Sequence, residues 1–165
     1  MAFYDEGEAS AAIFEMIAEG KRTLDPFIAQ LNMEILWANS QEAEGVIYVT
    51  PKVLNPYGTV HGGCLVALAD SVAGHNLLAA GKMCVTQSST VSFLRPASCR
   101  RVYCRSTIKK LGKSSHVVSV EATDEEGQGL VTALFTFVTI QDVPPHSIAK
   151  RTPVSDSDGS GAPGS

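Results

Sequence analysis

The sequence predicts an α+β domain in which an antiparallel sheet wraps around one long central helix. Three observations lead there. The order of elements is two strands, one helix and then four strands, with no alternating strand–helix pattern. The stretch from Cys64 to Ala80 is apolar nearly all round, the signature of a helix buried on every side. The four strands after it are rich in β-branched residues, alternate in polarity and are separated by short turn clusters.

Taken in order, Ala9, Ile13, Met16 and Ile17 recur at helical spacing, so residues 8–20 read as a short amphipathic helix closed by Gly20. Asp25-Pro26 marks a turn or a short helical start. Residues 31–39 and 45–51 read as strands, and the polar link Ser40 to Glu44 suggests a hairpin between them. Asn55-Pro56-Tyr57-Gly58 is a turn by composition. It leads through His61-Gly62-Gly63 into the long helix, which Gly81 stops. Strands follow at 84–94, 101–111, 115–124 and 129–140, divided by Pro96-Ala97, Leu111-Gly112-Lys113 and Asp124 to Gly127. From Val143 the chain turns to Ser, Asp, Gly and Pro. Residues 1–142 are therefore expected to form one domain, and 143–165 a disordered tail.

Composition narrows the function. A formal charge of −4 argues against general nucleic-acid affinity. The acidic start lacks the basic and apolar regions of a signal peptide. The apolar stretch carries Asp70, His75 and Asn76, which unfits it for crossing a bilayer, so no membrane partner is expected. Cys64, Cys84, Cys99 and Cys104 show no C-x-x-C spacing and read as reduced thiols of a cytoplasmic protein. The histidines and cysteines have no metal-ligand spacing, and no phosphate-binding glycine loop or G-x-S-x-G elbow is present. Chemistry without metal or cofactor is the expectation.

Asp70 is the one formally charged residue between His61 and Gly81. A carboxylate on a buried helix needs partners or a task. It either caps a neighbouring loop, pairs with a strand or serves as a reactive group. At the helix start, Gly62 and Gly63 offer bare amides where the first N–H groups lack intrahelical partners. The helix dipole there favours negative charge, which suits a carbonyl becoming an oxyanion. The same glycines also suit tight helix–sheet packing. Asn55 can donate to that carbonyl or stabilise its own turn. His61 can polarise it or hold the loop.

Together these residues carry a resemblance. Asn55 to Gly63, then Leu68-Ala69-Asp70, then Val91 to Ala97 with its Phe93-Leu94-Arg95-Pro96 resemble the PaaI-type hotdog thioesterases over residues 25–140. The family pattern is an Asn, a G-x-x-H-G-G turn, an acid two turns into the helix and a strand ending F-x-R-P. The resemblance implies a hotdog fold and hydrolysis of acyl-CoA thioesters to free acid and CoA. It implies that the Gly62 amide and Asn55 hold the thioester oxygen. Asp70 would be the nucleophile or the general base. A hydroxyl at Thr86, Ser88 or Ser89 would help to position water, and Gly63 would lie in the substrate site. An anionic CoA needs local positive charge. Seven of the thirteen Lys and Arg residues fall between Arg95 and Lys113: Arg95, Arg100, Arg101, Arg105, Lys109, Lys110 and Lys113. They are either a phosphate site or a solvated strand face. The competing functions are a hotdog hydratase or dehydratase, and a non-catalytic acyl-CoA-binding module.

Helix geometry adds an expectation about assembly. Asp70 lies eight residues after Gly62, roughly 12 Å along the axis at 1.5 Å per residue. One subunit cannot easily bring both groups to one carbonyl. Two antiparallel copies of the helix about a dyad near Val66 would, with the strand at 84–94 pairing across the dyad. A dimer with shared sites is expected, and the resemblance further implies a dimer of dimers.

Overall fold

The computed structural model describes residues 26–145, 147–149 and 153. The expected helix at 8–20 and most of the expected tail lie outside the described residues. A short helix, α1 (Pro26–Gln30), follows Asp25. Strands β1 (Met33–Ala38) and β2 (Glu42–Tyr48) form the first hairpin. A 3-10 turn (Pro51–Val53) leads to the central helix α2 (Gly62–Ala79). Strands β3 (Lys82–Phe93), β4 (Arg101–Leu111), β5 (Ser115–Thr123) and β6 (Gly129–Asp142) complete the domain. All six strands lie in one sheet of order β1-β2-β4-β5-β6-β3, and every neighbouring pair is antiparallel. This is the hotdog arrangement that the order of elements predicts.

The core lies between α2 and the inner sheet face. Leu65, Leu68, Val72, Ala73 and Leu77 of α2 pack against Ile35, Ile47, Val102, Val118, Val120 and Phe135. Helix and sheet approach closely at Gly45, where an added Cβ would lie 2.6 Å from Val72 Cγ2. Only glycine fits there. Asn76 is fully buried, and its side chain is satisfied on both sides. Nδ2 donates to Asn39 O at 2.8 Å, and Oδ1 accepts from Ser106 Oγ at 3.2 Å. These bonds pin the second half of α2 to the β1–β2 turn and to β4. The helix ends where Gly81 adopts φ +86°, a conformation that favours glycine.

The two sheet edges differ. At one, Ala38 of β1 exchanges backbone hydrogen bonds of 2.8 and 3.2 Å with Ile148. Val143 N meanwhile donates to Gly81 O at 2.9 Å. The chain leaving β6 thus begins beside edge strand β3 and reaches the opposite edge. The other edge, β3, is long, and no further described strand pairs with it. Thr86, Ser89 and Phe93 are exposed, although register places them beside Phe137, Phe135 and Val131, all buried on the inner face.

Candidate active site

His61 caps the N-terminus of α2. Its Nδ1 accepts the Gly63 N–H at 2.9 Å. The neutral ring therefore carries its proton on Nε2. Of the two roles open to His61 in the sequence, the structure shows the loop-holding one. Gly63 is a glycine for the same reason, since an added Cβ would lie 3.1 Å from that Nδ1. Its amide, expected in the substrate site, is engaged by His61.

The Gly62 N–H is different. As the first residue of α2 it has no intrahelical acceptor, and no other described group accepts from it. It is the available donor at a helix N-terminus, where the dipole favours an anion. The Phe93 ring lies against this residue, with Cε1 and Cζ each 3.3 Å from where a Cβ would be.

Asn55 organises the turn ahead of the helix. Its Oδ1 accepts from Tyr57 N at 2.9 Å and Thr59 N at 3.2 Å, and its Nδ2 donates to Thr59 Oγ1 at 2.8 Å. The side chain stabilises its own turn, the second role that the sequence left open. The turn also holds Tyr57 outward, 91% exposed.

Two turns along α2, Asp70 is half-buried. Its Oδ1 accepts a 2.6 Å hydrogen bond from Thr86 Oγ1 of β3. That selects among the three candidate hydroxyls. Register explains the choice: Thr86 and Ser89 pair with the inward residues Phe137 and Phe135, whereas Ser88 pairs with Thr136 on the other face. The register shift between Thr86 and Ser88 sets these faces, and a bulge of that kind is invisible in alternation alone. Ser88 therefore points away from Asp70.

The basic cluster divides in two. Arg105 is bound by Glu44 (2.7 and 3.2 Å) and stacks on Trp37 at 5.5 Å. Arg100 meets Glu125 at 3.8 Å, Arg101 lies over Tyr48 at 5.9 Å, and Arg95 Nη1 donates to Gly129 O at 3.1 Å. These arginines are part of the sheet's own structure. Lys109, Lys110 and Lys113 are exposed, and no described group pairs with them. Thr86 pairs with Phe137, Phe137 with His116 and His116 with Leu111. Leu111 thus shares a sheet row with Thr86, three strand spacings or about 14 Å away, whereas Lys110 pairs with Val117 in the row of Thr136 and Ser88.

A separate cavity of about 660 Å³ lies beside the Asn55 turn, lined by Val49, Leu54, Cys99 and Asp124 to Glu126 among others. Burial, with Glu125 and Asp124 nearby, pushes the Cys99 thiol up to about 11. Its acidic wall is unsuited to an anionic ligand. Among the described residues no helix is long and apolar enough to cross a membrane.

Comparison with known proteins places this geometry. Residues 57–131, which include Gly62, Asp70 and Thr86, match the model of the thioesterase superfamily. A Haemophilus influenzae protein named "Putative esterase" is 31% identical over 104 residues, 61% of this chain and 75% of that one. A hypothetical thioesterase of Streptococcus pneumoniae, solved with coenzyme A, is 25% identical and superposes with a TM-score of 0.65 over 68% of this chain and 89% of that one. The E. coli PaaI protein, 20% identical, shares the fold with a TM-score of 0.69 over 84% of this chain and 99% of its own. With this fold, this turn and this helix, the chain belongs to the thioesterase superfamily, among its PaaI-type hotdog members.

Proposed function

We propose that the protein hydrolyses acyl-CoA thioesters to a free acid and CoA. The observation that carries this reading is the pair of functional ends on α2. Asp70 is oriented by Thr86 at 2.6 Å, and Gly62 presents an N–H with no acceptor among the described residues. The coenzyme A in the Streptococcus pneumoniae relative supports the substrate class. So do the three unpaired lysines, which suit CoA phosphates.

The thioester oxygen accepts from the Gly62 N–H, which stabilises the oxyanion as the carbonyl carbon is attacked. Thr86 holds Oδ1 of Asp70 and leaves Oδ2 available as base or nucleophile. Asp70 then acts in one of two ways. As general base it takes a proton from water while the oxygen bonds to carbon. As nucleophile it forms a mixed anhydride that water opens. In both, the C–S bond breaks and CoA departs as a thiolate that takes up a proton. His61 and Asn55 act by fixing the turn that aims Gly62.

One carbonyl cannot meet both ends of one α2, so the site is shared. Gly62 of one copy faces Asp70 of a second copy across a dyad, and the open β3 edge pairs with its equivalent. The test is release of CoA thiol across an acyl-CoA panel by the wild type and by Asp70→Asn. The wild type should turn over at least one acyl-CoA, and the variant should lose on the order of 10²–10⁴ in kcat while still binding it. Tight binding with no turnover by the wild type would instead make the protein an acyl-CoA-binding module.

A further inference from the structure

We infer that Phe93 is the residue that sets which acyl group the site accepts. The inference rests on the shared-site reading above and adds a specificity-determining residue to it.

Phe93 closes β3 and pairs with Val131. Val131 is buried on the inner face, so Phe93 faces inward as well. It is nonetheless 54% exposed. In the single chain the inward-facing ring thus has an uncovered apolar face. Its inner neighbour is Gly62, the residue with the available amide, and the ring is close enough that a side chain there would have to push it aside. The N–H and the missing Cβ share one Cα. A group hydrogen-bonded to that N–H therefore lies beside the Phe93 ring.

The dyad of the shared-site reading gives a second reason. On α2, the point midway between Gly62 and Asp70 is Val66. On β3, Phe93 lies against Gly62 and Thr86 bonds to Asp70. Counted along the ladder, Thr86 stands at Phe137 and Phe93 at Val131, so the midpoint is Leu134, whose partner is Thr90. One two-fold axis through Val66 and Thr90 therefore satisfies both elements at once. About that axis β3 pairs with its copy so that Phe93 of one subunit stands opposite Thr86 of the other. The ring then walls the space between the oxyanion donor and the carboxylate.

The test compares wild type, Phe93→Ala, Phe93→Leu and Phe93→Trp in kcat/KM over acyl-CoAs of increasing size. The same variants in an Asp70→Asn background supply dissociation constants without turnover. Phe93→Ala should shift the ratio of large to small acyl groups upward by about tenfold or more, the discrimination that a methylene-sized change of pocket gives. Phe93→Trp should shift it downward, and Phe93→Leu should fall between. The dissociation constants should move in the same order. A uniform loss across all acyl groups, or ratios within twofold of wild type, would overturn the inference and make Phe93 a packing or pantetheine contact. If Asp70→Asn keeps full turnover, the catalytic reading fails, while the ratios still decide the role of Phe93. If no acyl-CoA is hydrolysed by any variant, the dissociation constants decide it.

Discussion

The hydroxyl of Thr86 does one thing that Ser88 and Ser89 do not: it reaches Asp70 Oδ1. Thr86→Val keeps the shape and removes the donor. It should lower kcat by roughly 10–100-fold, the scale of a misplaced reactive group, with little change in KM or melting temperature. Steady-state kinetics and a thermal melt check both halves. His116 makes a different prediction. It is fully buried, with Nε2 and Thr139 Oγ1 2.6 Å apart. Burial and then Lys82 hold its pKa below the usual 6.5, against the opposing pull of Asp142. A histidine with a depressed folded pKa stabilises the fold above its unfolded pKa, and that stability is lost as pH falls below about 6.5. Denaturant midpoints should drop from pH 7 to pH 5, and His116→Gln should flatten the drop. At this scale the sequence showed Asp70 as an isolated charge and Gly62 as a helix-start glycine. It could not show that the Gly63 amide is engaged by His61, or that Arg95 is bonded to Gly129. Those are contacts made by folding, and a motif names residues without naming their partners. Phe93 was legible only as part of F-x-R-P. Its inward direction comes from the register with β6.

Among the elements, all six strands and α2 were legible, because period-2 and all-round apolar patterns report burial directly. Their ends were less so. Alternation placed the second strand at 45–51, whereas β2 is Glu42–Tyr48, and Pro51 opens a 3-10 turn. Proline has no N–H to give a ladder. The helix–sheet contact makes a sharp prediction. Gly45→Ala puts a Cβ 2.6 Å from Val72 Cγ2 and should cost about 1–3 kcal/mol as overpacking, read as a shift in denaturant midpoint. The double change Gly45→Ala with Val72→Ala should recover part of it. The chain beyond β6 has more structure than its composition suggests. Expected to leave the domain at Val143, it pairs Ile148 with Ala38 instead. We place the end of the domain after Ile148. Truncation after Asp142 should therefore lower the melting temperature, whereas truncation after Ala149 should not. Equal melts would return the boundary to residue 142.

Across the whole molecule, charge and function run the same way along the sheet. The β4–β5 end carries Lys109, Lys110 and Lys113 around Leu111, whose row runs through His116 and Phe137 to Thr86. The β5–β6 end carries Asp124, Glu125 and Glu126, beside the Ala97–Arg100 turn. Reversing each lysine should raise KM for acyl-CoA more than it lowers kcat, and the effect should shrink in high salt. Reversing Arg105 would instead break its pairing with Glu44 and show in stability. The open β3 edge and the separation of Gly62 from Asp70 give the same account of assembly. The most direct test is complementation between two inactive chains, Asp70→Asn and Gly62→Pro. Proline is tolerated at the first position of a helix and removes the N–H, although it crowds the Phe93 ring. Each variant alone should be inactive and dimeric. Mixed dimers formed by co-refolding pair the intact Gly62 of one chain with the intact Asp70 of the other. They should regain one working site of two, about half the wild-type activity per dimer. Mixed dimers shown to form yet without activity would contradict the shared site, as would full activity in a monomer.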